Sequence, residues 1–315
     1  MENRKILIYI MMGLFAASLI AGIFVVLKSP PKEQKIVAKG LDFNLKREEG
    51  VAIVYLYGPI GVGQQDPSMP FFASGSDRVV SKLDKIRKDP QIKAVVLRIN
   101  SPGGSVGATQ EICEEIEKIK KTGKKVVASM GDVAASGGYY VASTADKIIA
   151  NPGTITGSIG VIAEMGNVEE LFRKIGVKIE VIKSGKHKDI GSPVRPMTQE
   201  ERKMLQELIN NAYEQFVAAV VKGRNMPYEK VKELADGSIY TGQQAKDNGL
   251  IDELGNMQDA VKLAGQLAGI KGEPNVIKEY NSLEKLLEMF GQKFDDNAVN
   301  KIFNKQGLRL AYSLE

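Results

Sequence analysis

Apolar and polar positions divide this chain into three regimes. The first is an unbroken apolar run from Ile6 to Leu27, 22 residues without a charge. As a helix rising about 1.5 Å per residue it spans ~33 Å, enough to cross a bilayer core. A cleaved signal peptide usually has an apolar stretch of about 7–15 residues that ends at a small-x-small site. Here the run passes into "LKSPPKEQK". The pattern therefore predicts an uncleaved transmembrane anchor over 6–27, a short N-terminus over 1–5, and a polar, proline-containing linker over 28–48. Arg4 and Lys5 precede the run, and Lys28, Lys32, Lys35 and Lys39 follow it, so local charge does not orient it.

The second regime alternates short apolar runs with amphipathic segments. "VAIVYLYG" (51–58) reads as a buried strand, followed by a Gly/Pro/Ser loop carrying Phe71 and Phe72 and a helix in "DRVVSKLDKIRKD". "IKAVVLRIN" (92–100) is a second strand, ending in the turn "SPGG". "GATQEICEEIEKIKKTG" is an amphipathic helix closed by glycine, and "KKVVASMG" (124–131) is a third strand. It runs into "AASGGYYVASTA", read as a helix opening at Ser136. Further short strands are expected near "KIIANP", "SIGVIAE" and "VKIEVIKSG". This alternation predicts an α/β core.

From Thr198 the pattern becomes helical. "TQEE" has capping-box spacing, with Thr198 and Glu201 at the reciprocal positions. Helices are expected in "MLQELINNAYEQFVAAVVKG", "YEKVKELADG", "TGQQAKDNG" and "NMQDAVKLAGQLAG". The core domain is placed at 49–270. The extension over 271–315 is expected to hold a short strand, a helix "SLEKLLEMFGQ" and an apolar tip.

Composition narrows the chemistry. A net charge of +5 is mild, and basic residues stand beside acidic ones, as in "EEIEKIKKTGKK". That is a solvated helix surface rather than a nucleic-acid patch. Cys113 is the one cysteine, so no intrachain disulfide forms, and no zinc-type Cys/His spacing occurs. His187 is the one histidine.

Three segments carry candidate chemistry. In "INSPGGSVGA" a buried strand ends and Gly103-Gly104 exposes backbone N–H groups, either as a plain strand-to-helix turn or as half of an oxyanion hole. In "GDVAASGGYY" Ser136 is surrounded by Ala134, Ala135, Gly137 and Gly138. Small residues there serve either helix packing or access of a substrate backbone to a serine nucleophile. The segment is not a Gly-x-Ser-x-Gly elbow, because Ala134 fills the first glycine position. A serine nucleophile needs a base. "IKSGKHKDIGSP" (182–193) offers His187, Lys183, Lys186 and Lys188, and equally reads as an exposed basic loop.

Taken in order, "SPGG", "AASGGYY", "TGSIGVI" and "SGKHKDIGSP" resemble the signal peptide peptidase A family, serine–lysine peptidases of the Clp-protease/crotonase superfamily. "ADGSIYTGQQAKDNGLIDELG" resembles a further family segment, with Ser238 where arginine is usual. The resemblance covers roughly residues 50 to 265. It implies a core of stacked β-β-α units, Ser136 as nucleophile, and Lys188, 52 residues on, as general base. It further implies Ser158 as the hydroxyl that orients the lysine, and Gly103, Gly104 and Gly137 in the oxyanion hole. No metal or cofactor is implied. The implied substrates are signal peptides and other apolar peptides, bound as an added strand along 103–107 and 158–164. The implied setting is a single-pass cell-membrane protein with its peptidase domain on the extracytoplasmic side. The resemblance also implies a homo-oligomeric ring or dome whose sites combine serine and lysine from neighbouring subunits. A catalytically silent membrane scaffold and a crotonase-type acyl-CoA enzyme are the competing readings.

Overall fold

The computed structural model describes residues 49–63 and 75–277. The chain divides into two units, Met1–Lys46 and Arg47–Glu315, and the described residues belong to the second. The anchor expected over 6–27, the linker over 28–48, the loop bearing Phe71 and Phe72, and the helix expected over 282–292 lie outside the described residues. Among the described residues no helix is long and apolar enough to cross a membrane.

The core is an α/β sheet with helices on both faces. Strand β1 (Gly50–Tyr57) lies parallel to β2 (Ile92–Ser101), and β2 lies parallel to β3 (Lys125–Ala135). Helix α1 (Ser76–Lys88) connects β1 to β2, and α2 (Val106–Lys121) connects β2 to β3. Parallel neighbours need such crossovers, and burial on both faces favours continuous apolar strands. One face of the strands presents Val54, Leu56, Leu97 and Ile99 to the core shared with α1 and α2. The other presents Val51, Ala94 and Val96 to helix α8 (Met257–Leu267), through Ala260 and Ala264. Helix α2 buries Ala108, Ile112, Cys113, Ile116 and Ile119, an i, i+3/i+4 stripe. Burying each large aliphatic side chain contributes about 1.5–3 kcal/mol.

β3 forks. Val127–Ser129 pair with β4 (Lys147–Ala150), whereas Val133–Ala135 pair with β5 (Ile155–Gly157). The register against β2 slips between Ile99 and Ser101, a bulge that bends β3. Asn100 Oδ1 accepts the Val133 N–H at the bend, and Gly131 O accepts the Thr154 hydroxyl. After β3 comes α3 (Gly137–Ser143), and after β5 a short helix α4 (Glu169–Lys174).

The long helix is α5 (Gln199–Arg224), with the expected capping box of Thr198 and Glu201 in place. Its C-terminal half docks on α3. Phe216 stacks on Tyr140 at 4.6 Å, and a Cβ on Gly223 would stand 1.8 Å from Ser143 O, so only glycine permits the approach. Helix α6 (Tyr228–Leu234), strand β6 (Ile239–Thr241), helix α7 (Gly242–Asp247) and strand β7 (Glu253–Leu254) complete the layer beside β4 and β5. Strand β8 (Asn275–Ile277) adds to the far edge of β1.

Two expected strands differ. The extended stretch falls at Ile155–Gly157, just before "SIGVIAE". Gly157 and Ser158 both have positive φ, which ends the strand there. Residues 177–185 form no ladder among the described residues, although Val177, Ile179 and Val181 do alternate as exposed apolar positions.

Candidate active site

Ser136 stands between β3 and α3, at the carboxyl end of a central strand. Its N–H donates to Gly157 O at 2.8 Å, and its carbonyl accepts the Tyr140 N–H at 2.9 Å. The residue thus ends one ladder and starts one helix. Its φ of 52° and ψ of −123° are a conformation that L-residues avoid. Among the described residues three non-glycines have positive φ: Ser136, Ser158 and Asn225. Asn225 is an ordinary left-handed C-cap of α5. The other two sit side by side, because the Ala135–Gly157 pairing brings the ends of β3 and β5 into register. Ser158 N–H donates to Ser238 O at 2.7 Å. That contact uses backbone only, so serine in place of arginine at 238 leaves it intact.

The glycine turn lies against the serine. A Cβ on Gly103, whose φ is +104°, would stand 2.7 Å from Gly137 N and 2.9 Å from Ser136 Cβ. A Cβ on Gly137 would stand 2.8 Å from Thr109 Oγ1 and 3.3 Å from Gly104 N. The Gly104 and Gly137 amides are therefore neighbours around Ser136. Gly104 forms a parallel bridge with Ile60, in which Ile60 N–H donates to Gly103 O and Ser105 N–H donates to Ile60 O. A parallel bridge of this type leaves the N–H of Gly104 itself turned away from Ile60. Gly137 is the first residue of α3, where no carbonyl four residues back is available. Two donors beside one serine can stabilise negative charge on a carbonyl oxygen attacked there. The buried Ser101 hydroxyl accepts the Gly103 N–H at 3.1 Å and fixes the turn. Ser101, Ile60 and Thr109 were not anticipated from sequence. Ser101, adjoining the glycine turn, was the one with a visible signal.

Lys188 makes no hydrogen bond to this cluster among the described residues. It lies exposed in a turn over 186–191, where its N–H donates to Gly185 O at 3.1 Å. Among the described residues no hydrogen bond joins it to Ser136 or Ser158, and no ion pair or hydrogen bond engages its amine. The other basic groups of the segment are occupied. Lys183 donates to Asp189 at 2.5 Å, Lys186 donates to Glu200, and His187 Nε2 lies 3.3 Å from Glu200. Arg195 grips Asp189 through Nε at 2.7 Å and Nη2 at 2.8 Å, and Glu201 through Nη1 at 2.9 Å and Nη2 at 2.5 Å. Arg195 first, then Lys183, hold the Asp189 carboxyl well below the usual carboxylate range. Arg195 and the Thr198 N–H bring Glu201 down to about 2.

The match to known proteins follows this geometry. Residues 118–271, from the end of α2 into the turn before β8, match the model of peptidase family S49. A candidate protease of Methanocaldococcus jannaschii is 39% identical over 80% of each chain. A candidate protease of Synechocystis sp. is 49% identical, covering 63% of this chain and 71% of the relative. A candidate signal peptide peptidase SppA of Enterococcus faecium is 46% identical, covering 58% of this chain and 53% of the relative. The chain belongs to peptidase family S49. Membership makes it a peptidase and bears out the resemblance drawn from the four ordered motifs. The structure gathers Ser136 and Gly137 of the matched segment with Gly103 and Gly104, which precede it, and sets Ser158 on the adjoining strand end; among the described residues no hydrogen bond joins Lys188 to them.

Proposed function

We propose that this S49 peptidase is a membrane-anchored serine endopeptidase that degrades cleaved signal peptides, using Ser136 as nucleophile and Lys188 as general base. The observation that carries the reading is Ser136 itself. It is a half-buried serine in a strained conformation, beside the amides of Gly104 and Gly137. Such strain clusters at functional sites. The Lys188 amine takes the Ser136 proton as the hydroxyl oxygen attacks the peptide carbonyl. The two amides hold the oxyanion, the lysine returns the proton to the leaving amine, and an acyl-enzyme remains. Water, deprotonated by the same lysine, then releases the acyl group. The segment's other basic side chains donate to carboxylates or lie beside one, which favours Lys188 as the amine able to accept a proton. Ser158 is the hydroxyl that orients it.

Assembly supplies the missing proximity in this reading. The segment from Gly160 to Val194 is largely exposed, with Ile162 at 82% and Ile182 at 100% exposure. An apolar edge of this kind suits pairing with a second copy. Glu201 lies 15 residues before Phe216 on α5, about 22 Å along the helix axis. The Lys188 turn hangs from the first end, and the helix that begins beside Ser136 packs at the second. A ring or dome in which each lysine serves its neighbour's serine is consistent with that separation. The finer fold reading is the Clp-protease/crotonase core, supported by the parallel crossovers and the forked β3. The segment 6–27 anchors the chain with its peptidase domain outside the cytoplasm, and the apolar substrate lies as a strand along 103–107 and 158–164.

Hydrolysis of a fluorogenic signal-peptide-like substrate by the full chain in detergent tests the chemistry. Wild type should cleave, and Ser136→Ala and Lys188→Ala should both be silent while folded and assembled. Activity retained by Lys188→Ala would remove it as the base.

A further inference from the structure

Four charged residues recur at intervals of six with alternating sign: Lys183, Asp189, Arg195 and Glu201. In the structure they form a continuous ladder. Lys183 donates to Asp189, Arg195 lies between Asp189 and Glu201, and Glu201 closes the capping box by accepting the Thr198 N–H at 2.9 Å. Arg195 also donates to Asp189 O at 3.2 Å and to Pro196 O at 3.0 Å, so each of its three nitrogens is used. The Glu201 side chain is only 3% exposed, which makes the start of α5 a fixed point. Asp189 is the residue after Lys188. Through Arg195, the turn carrying Lys188 is tied to that fixed point, in a segment with little buried apolar contact to hold it.

We propose that Arg195 is a positioning residue for the S49 reaction: it clamps Asp189 to Glu201, and so fixes where the turn presents the Lys188 amine. The inference rests on the assignment of Lys188 as base. The planar fork of arginine can bind two carboxylates at once, and a lysine ammonium cannot reproduce both geometries. Around the turn, Lys183, Arg195, Glu201, Glu200, Lys186 and His187 are the charged or titratable groups. The four members of the ladder sum to zero charge, so the clamp acts by geometry.

The test compares Arg195→Ala, Arg195→Lys and Lys188→Ala with wild type, as full chains in detergent, with oligomer mass and melting temperature measured on each. Both Arg195 variants should lose kcat by about 10- to 100-fold with KM within about threefold, the signature of a misplaced base. An assembled Arg195 variant with wild-type kcat, beside a silent Lys188→Ala, overturns the positioning role and leaves the base assignment standing. An active Lys188→Ala overturns both. If Arg195→Ala does not assemble, Arg195→Lys and Glu201→Gln decide by the same criteria.

Discussion

At Ser136 a non-glycine backbone is held where it costs about 1–3 kcal/mol, and the surroundings show what holds it. The Gly157 carbonyl, the first turn of α3 and the Gly103 turn all close on this residue. The glycines beside it are equally constrained. Gly103→Ala would force a Cβ to 2.7 Å from the Gly137 amide at a φ of +104°. We expect its kcat to fall about 10²-fold or more with assembly preserved, since loss of one oxyanion donor alone has that size. Steady-state kinetics check it, and near-wild-type kcat would remove these amides from the oxyanion hole. Cys113 makes a contrasting case. Burial pushes its thiol up to about 12, so it should be silent toward a thiol reagent in the native protein and react once on denaturation. Fast native labelling would contradict the packing of α2. The place of Ser136 between a strand and a helix was legible because its small neighbours and the preceding strand are contiguous in sequence. The charge ladder through Arg195 was not, because a six-residue charge interval matches neither helix nor strand periodicity.

Among elements, the segment from β5 to α5 behaves unlike the sheet. Strands β1 to β3 and helix α2 are legible from periodicity because both faces of each strand, or one stripe of the helix, are buried. Residues 177–185 instead carry a strand-like alternation but find no ladder among the described residues. Pattern specifies which side is apolar, whereas only a neighbouring strand makes hydrogen bonds. The ladder at the start of α5 sets a pH window. Asp189 and Glu201 both titrate below their ordinary range, Glu201 at about 2. A depressed carboxylate contributes stability that is complete above its unfolded value near 4 and is lost as pH falls through the folded value. Acid unfolding followed by circular dichroism should therefore show wild type losing stability between about pH 4 and 2, and Glu201→Gln losing less there. A wild-type loss centred above pH 6 would contradict this. The exposed edge carries a separate expectation: Val181→Asp with Ile182→Asp should yield smaller assemblies and little cleavage while the melting temperature holds. Unchanged oligomer mass would remove this edge from the interface.

Across the whole molecule, α5 relates the two halves of the chemistry. Its C-terminal half packs on α3, the helix that starts beside Ser136, and its first turn anchors the loop bearing Lys188. No hydrogen bond among the described residues closes the gap between Ser136 and Lys188 within one chain. We assign that closure to a neighbouring copy. Subunit mixing tests this most directly. Ser136→Ala chains keep Lys188, Lys188→Ala chains keep Ser136, and each should be inactive alone. Co-assembled in equal amounts, a head-to-tail ring should recover about a quarter of wild-type activity, because that share of sites pairs an intact serine with an intact lysine. Mixed oligomers that stay silent, with co-assembly shown by mass, would contradict the shared site.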